Sequence, residues 1–541
     1  MNRLPSSILF ASFACATILP CFAVDPDDPF TYWPTDLRIG GTIIACSPGE
    51  IDPEIPIAFL ASAGGNEAKI VVVDLRSEWD AELTQSFLGD IEPVATIFAV
   101  SEETPPAPDT SLATATGILL LSTSPLGDVA RAWLKDLAPD LEATIHSGAA
   151  VCAVGPVAAL LGSRSIGNDA GAGLSLIPDT FIDVDFGGDA DRASLLGALG
   201  TNPLCVGIGI PSDTAIVLKG RKIRAFGKGD VTFLLAGNGT QPERIETISP
   251  NAARGANPYQ TIADLTAWRR DAIERQLPRF PAEVPPVPDV ENGTLIIVGG
   301  GGMPRGLMER MVELAGGEQA KMIYVPCTEA DEVNPNSGPI RQWQAMGVES
   351  ALVLHTKDRE KANSDETFLA PLNEATGIWF GGGRQWNLAD SYFGTRVQVL
   401  MHSVLERGGV IGGSSAGASI QADYLARANP VANFDIMAAG YERGLGFIQG
   451  VAIDQHFSQR GRQKDMRQLV ERYPQVLGIG IDEATALVVK RSRAEIVGRG
   501  KVYFYDRRRE TAPGETDYRA FGEGVVFDLA EREVNRGEPS E

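Results

Sequence analysis

The chain has 541 residues, enough for two to four domains of ordinary size. A composition that is 44% hydrophobic and 22% charged is that of a globular protein and excludes a disordered chain. A formal charge of −23 argues against nucleic acid as a partner, because phosphate recognition needs basic surface.

The first residues read MNRLPSSILFASFACATILPCFAVDP. Arg3 gives a positive start, Ile8 to Leu19 a short apolar run, and Cys21-Phe22-Ala23 small residues near a cleavage point. That order predicts a signal peptide over residues 1–23 and a secreted or periplasmic protein. The run is too short to span a bilayer, and no later segment is longer, so no membrane association is expected after signal removal. Cys46, Cys152, Cys205 and Cys327 remain beyond the signal. They have no C-x-x-C spacing, so no metal site is predicted.

The next feature is a diverged internal repeat. Residues 207–219, GIGIPSDTAIVLK, and residues 478–490, GIGIDEATALVVK, share eight of 13 positions at an offset of 271. The same offset pairs Asp183 with Asp454, Phe186 with Phe457 and Pro203 with Pro474. Upstream, Ala63-Gly64-Gly65 matches Ala315-Gly316-Gly317 at an offset of 252, and Gly117-Ile118 matches Gly377-Ile378 at 260. The order of matches predicts two domains of one fold, over residues 36–250 and 290–530. Residues 251–289 join them through the helical pattern TIADLTAWRRDAIERQL and the Pro-rich stretch PRFPAEVPPVPDV, a stiff connector.

In the second copy the apolar runs TLIIVGG, KMIYVPC, ALVLH, GIWFGGG, GGVIGGS and GIGID alternate with helical patterns such as RGLMERMVELAGG. Continuous Val/Ile runs bounded by glycine predict strands buried on both faces, hence an α/β fold with a parallel sheet. Functional groups in such sheets gather beyond the carboxyl ends of the strands. GGGRQ, SSAGA and DEAT all fall there.

Gly413-Ser414-Ser415-Ala416-Gly417 has the G-x-S-x-G pattern of a serine on a strand-to-helix turn. A serine hydroxyl needs a base, and histidine is the usual one. His456, in the polar stretch IDQHFSQRGR after an apolar run, is the best candidate; His355 remains open, while His146 and His402 suit other roles. Glu483, in the turn after GIGID, is the acid that would fix the imidazole tautomer, with Asp482 the competing choice. Oxyanion donors are expected from the Gly381-Gly382-Gly383 turn and from the Ala416 N–H. The first copy places Gly155 opposite Ser415, Asp185 opposite His456 and Ser212 opposite Glu483. Its framework persists while all three candidate side chains are absent together. A purely structural role for them does not explain that joint loss.

These motifs together, GGSSAGAS, IDQHFSQRGR, GGGRQ and GIDEATAL, resemble those of the cyanophycinase and peptidase E family of serine peptidases over about 240 residues. The resemblance implies tandem flavodoxin-like, class I glutamine amidotransferase-like domains, with no cofactor. It implies Ser415 as nucleophile, His456 as base, Glu483 as acid, and the N–H groups of Gly383 and Ala416 as oxyanion donors. It further implies substrate contacts at Gln385, Asp454, Gln455, Arg460 and Arg462, and a cyanophycin-like isopeptide polymer as partner. Two departures stand out. Asp465 occupies a place where cyanophycinases carry a further arginine, with Arg467 two positions on. Asn433 stands where some family accounts put an acid. An α- or isoaspartyl dipeptidase, or a non-catalytic secreted binding protein, are the competing functional readings. The first copy reads as an inactive domain packed like the second subunit of a dimer.

Overall fold

In the computed structural model, residues 39–76, 81–98, 112–166, 171–252, 257–512 and 515–535 are described. The segment read as a signal peptide lies outside them. Both halves are mixed α/β with largely parallel sheets, and each half holds two sheets instead of one.

In the first half the large sheet runs in the spatial order 95–98, 70–74, 117–121, 150–154, 39–46, 214–220, 222–227, 262–264. The first five are parallel and the last three antiparallel. In the second half the order is 350–353, 321–325, 377–380, 410–414, 294–298, 485–490, 493–498, 526–528, 533–534. Again the first five are parallel and the remainder antiparallel. Four of the five parallel strands follow the flavodoxin order, and the N-terminal strand of each half fills the fifth place. The small sheets also correspond: 162–165, 177–184, 206–210, 231–235 in one, and 422–424, 448–455, 477–481, 502–505 in the other.

The central strands are buried along their whole length, as in Ile70–Asp74, Ala150–Val154, Thr294–Val298 and Leu477–Ile481. Helices on both faces demand apolar side chains at every position, which is why these runs lack alternation. One core in the second half joins the two sheets through Ile297, Ile411, Ile453 and Ile481.

The connector differs from its sequence pattern. Residues 262–264 add a strand to the first large sheet, and the helix begins only at Leu265, with Asp264 capping it through the Ala267 N–H. That helix is buried between the halves, not exposed. Arg270, fully buried, donates from Nε to the Gly440 carbonyl at 2.7 Å. Arg221 binds Asp264 at 2.6 Å and Asp390 of the second half at 2.6 Å. Tyr441 donates to the other Asp390 oxygen at 2.6 Å. Burial pushes the Asp390 carboxyl up, but Arg221 and Arg270 outweigh it and hold it below its ordinary range. Removing one partner of a buried charge cluster leaves the others uncompensated. Asp390→Ala is therefore expected to cost about 3–5 kcal/mol, read as a lower urea midpoint of the full chain.

Candidate functional site

Ser415 follows the strand Val410–Ser414 and precedes a single helical turn, Ala416–Ser419. Its backbone stands at φ 58°, ψ −114°, a strained conformation for a non-glycine residue. The turn closes tightly. A Cβ at Gly413 would lie 2.2 Å from the Gly417 carbonyl oxygen, and one at Gly417 would lie 2.3 Å from that of Phe380. The two glycines of G-x-S-x-G are thus there for close backbone approach, and the turn lifts the Ser415 hydroxyl above the sheet.

His456 comes from the other sheet, directly after the strand Ile448–Gln455. Its N–H donates to the Gly299 carbonyl at 2.8 Å. Glu483 follows the strand Leu477–Ile481, its own N–H held by Gln459 Oε1 at 3.0 Å. The three side chains form a line: Ser415 Oγ lies 3.0 Å from His456 Nε2, and His456 Nδ1 lies 2.6 Å from Glu483 Oε1. Asp482 is engaged elsewhere, accepting from the N–H groups of Ser458 at 2.9 Å and Lys501 at 3.0 Å. The other three histidines sit against backbone carbonyls, His146 on Glu142, His355 on Ala330 and His402 on Leu445.

Burial pushes the His456 pKa below its ordinary value. The Glu483 hydrogen bond opposes this, and the Arg460 charge adds to the lowering. At neutral pH the ring is neutral. With Nδ1–H donated to Glu483, Nε2 carries the free lone pair and accepts the Ser415 O–H.

The glycine turn after Gly377–Phe380 lies against the serine: a Cβ at Gly382 would sit 3.5 Å from Ser415 Cβ and 4.0 Å from its Oγ. Gly383 belongs to that turn, and Ala416 directly follows the serine. Ala416 N–H, first in its helical turn, has no intrahelical acceptor.

The residues read as substrate contacts separate into two groups. Arg460 is exposed beside His456. Gln385, Asp454, Gln455 and Arg462 are buried. Gln385 donates to the Ala426 carbonyl at 2.5 Å. Asp454 differs most from a surface contact: it is wholly buried, accepting from Arg427 Nε at 2.8 Å and from Arg462 Nη1 at 2.7 Å. Its carboxylate orients two guanidiniums. Arg462 Nη1 also donates to the Gln455 carbonyl at 2.6 Å, and the Gln455 side-chain oxygen is buried without a partner.

Arg427, unremarked in the sequence, ties this region together. It stands at φ 59°, and besides Asp454 it binds Asp465 at 2.5 Å and the Phe434 carbonyl at 2.8 Å. So Asp465 is neutralised from a different strand end, while Arg467 turns away to Asp517 at 2.9 Å. Asn433 is exposed.

In the first half Gly155, Asp185 and Ser212 occupy the same places after the strands Ala150–Val154, Ile177–Val184 and Val206–Ile210. Ser212 donates its hydroxyl to Asp185, and no imidazole is present there. Among the described residues no three His, Cys, Asp or Glu side chains are grouped to hold a metal ion, and no helix is long and apolar enough to cross a membrane.

A hydroxyl, an imidazole and a carboxylate in one hydrogen-bonded line are the equipment of nucleophilic acyl-transfer hydrolases. Residues 282–497 match the model of Peptidase family S51. The chain is 28% identical over 239 residues to the cyanophycinase of Trichormus variabilis, covering 42% of this chain and 78% of that protein. It is 32% identical over 171 residues to the cyanophycinase of Synechococcus elongatus, covering 31% of this chain and 52% of that one. A crystal structure of a peptidase from an acI-B1 Actinobacterium aligns with a TM-score of 0.34 at 23% identity, over 44% of this chain and 97% of that one. The second half of the chain is therefore similar to Peptidase family S51 and to cyanophycinases.

The site makes a prediction that needs no substrate. In a histidine-labelled NMR titration, His456 should titrate below the ordinary imidazole value of about 6.5. Glu483→Gln removes the group that raises it, so the midpoint should fall further; an unchanged or higher midpoint would contradict the Nδ1–Glu483 bond.

Proposed function

We propose that the chain is an exported serine exopeptidase that cleaves cyanophycin-like isopeptides through an acyl-enzyme. The observation that carries this is the Ser415–His456–Glu483 line within the segment matching a peptidase family. His456 Nε2 takes the Ser415 proton as Oγ bonds to the scissile carbonyl carbon. The oxygen, now negative, turns to the N–H groups of Gly383 and Ala416. The C–N bond breaks as the imidazolium returns its proton to the leaving amine. Water, deprotonated by the same nitrogen, then releases the acyl group and restores Ser415. Glu483 holds the tautomer and stabilises the cation.

For substrate, the exposed Arg460 and the buried Arg462 suit a ligand bearing carboxylates. The polymer of β-linked Asp-Arg units is the first choice, because the relatives are cyanophycinases. Asp465, paired with Arg427, favours a second reading, an aspartyl dipeptidase, since it puts an acid where an arginine would otherwise stand. The first half we read as a pseudo-enzyme packed like a second subunit, supported by its matching strand order and by Gly155 and Asp185 in the places of Ser415 and His456. Export rests on the N-terminal pattern, and sequencing the mature N-terminus from an expressing cell tests it; a chain still beginning at Met1 would refute it.

The catalytic reading is tested with purified cyanophycin. Release of β-Asp-Arg by the native chain, lost by at least roughly 10⁴-fold in Ser415→Ala, is the expected result. Cleavage of Asp-X dipeptides with the polymer untouched would select the second reading, and no labelling of Ser415 by a fluorophosphonate would overturn both. The sign of the pH dependence follows from the base. Only neutral His456 accepts the proton, so kcat/KM should rise with pH through a midpoint below the usual imidazole range and stay level at neutral pH.

A further inference from the structure

We infer that the four-glycine turn Gly299–Gly302 is a built-in seat for the imidazole and carboxylate, with Gly300 and Gly301 as positioning residues. The inference rests on the catalytic reading of Ser415, His456 and Glu483.

The turn follows the strand Thr294–Val298, next to the strand that carries the serine. Its carbonyls hold both partner loops: Gly299 O accepts the His456 N–H at 2.8 Å, and Gly300 O accepts the Ala484 N–H at 2.8 Å. Its missing side chains make the room those partners fill. A Cβ at Gly300 would stand 2.4 Å from His456 Cε1 and 2.5 Å from Nε2. A Cβ at Gly301 would stand 2.4 Å from Glu483 Cδ and Oε2. No carbon can approach so closely, so each substitution must move a group of the triad. The two groups differ in what they can do. The His456 side chain is 10% exposed and hemmed in, whereas that of Glu483 is 34% exposed and can swing into solvent.

The first half supplies an internal control. Its turn keeps two of the backbone bonds: Ser47 N–H to Thr214 O at 2.9 Å matches Gly299 to Thr485 at 2.9 Å, and Asp213 N–H to Pro48 O at 3.1 Å matches Ala484 to Gly300, while the Asp185 N–H goes to Ser47 Oγ at 2.7 Å in place of a carbonyl. Pro48 therefore occupies the place of Gly300. Proline is fixed near φ −65°, while Gly300 stands at φ 93°. Where Asp185 replaces the histidine, the turn has given up the glycine that faces the ring. Backbone pairing alone is thus compatible with a bulky residue there, and the glycine answers to the imidazole.

The test compares full-length variants. Gly300→Ala should lower kcat about 100-fold with KM within about twofold, as expected of a displaced base. Gly301→Ala should behave as Glu483→Gln does, lowering kcat and moving the kcat/KM midpoint to lower pH, and adding little when combined with Glu483→Gln. Gly316→Ala is the control for backbone strain: its φ is 111°, its nearest neighbours lie 3.8 Å away, and it is remote from the serine. It should leave kcat unchanged. A second readout is the Nδ1–H resonance of His456, which should persist in Gly316→Ala and vanish in Gly301→Ala. The inference is overturned if Gly300→Ala keeps kcat near that of Gly316→Ala, if its loss merely tracks the folded fraction, or if the resonance survives in Gly301→Ala. An inactive, unlabelled native chain would instead refute the catalytic reading, and the resonance would still report on the seat.

Discussion

The hydrogen bond between Ser415 and His456 joins two different sheets, and the geometry of the second half is organised around that fact. The hydroxyl stands at the end of a strand of the large sheet, the imidazole at the end of a strand of the small one. A 3.0 Å contact between them leaves little freedom in how the sheets meet. The shared core takes up this constraint: Ile297 and Ile411 from one sheet pack in the same cluster as Ile453 and Ile481 from the other. Close-packed interiors do not deform continuously, so the core fixes the distance that the two polar side chains need. Positive φ angles at Ser415, His456 and Ala484 are local strain at the three strand ends where the chain turns into the site. Such strain persists only where surrounding structure over-determines it.

Two buried carboxylates carry that organisation outward. Asp454, one residue before Gln455 and two before His456, is shared by Arg427 and Arg462. It therefore couples the loop after Tyr424 to the loop after the imidazole. Asp390 lies in the helix Trp386–Tyr392, which begins where the glycine turn beside Ser415 ends. It is shared by Arg221 of the first half and Arg270 of the connector. Buried ion pairs are poor sources of net stability because desolvation offsets the attraction. Their value here is geometric: each carboxylate has directional partners on two elements and tolerates no drift of either.

Much of this was legible in the residues. The parallel strands showed as unbroken apolar runs, because strands covered on both faces have no polar side. Ser415, His456 and Glu483 stood out because the first half keeps the framework and lacks all three. The division into two sheets was not legible, since GGVIGGS and GIGID look alike whichever sheet they join. Nor was the strand at 262–264, hidden in a stretch with helical periodicity, because its pairing partners are the distant residues Lys222, Ile223 and Arg224. The family resemblance implied Asp454 as a substrate contact. Its burial depends on Arg427, which reaches it from 27 positions away with a backbone angle that sequence does not announce. The four glycines at 299–302 were visible as a run, but their meaning required knowing which rings and carboxylates come to rest on them.

The same reasoning explains what a half with Gly155 and Asp185 in the places of Ser415 and His456 contributes physically, together with the connector. The residues that reach across the joint from that half and from the connector do not land at random. Arg221 and Arg270 reach Asp390, Arg270 also takes the Gly440 carbonyl, and Tyr259 donates to the Ala432 carbonyl at 3.1 Å. Ala432 and Gly440 bracket the loop whose Phe434 carbonyl Arg427 grips from the other side. That loop carries no regular secondary structure of its own among residues 427–440. Its backbone groups must find partners elsewhere, and the connector provides two of them. The conformation of the loop beside the arginines is therefore set from both sides. Arg221 of the first half thus braces the Asp390 helix, and Arg270 and Tyr259 of the connector brace the loop.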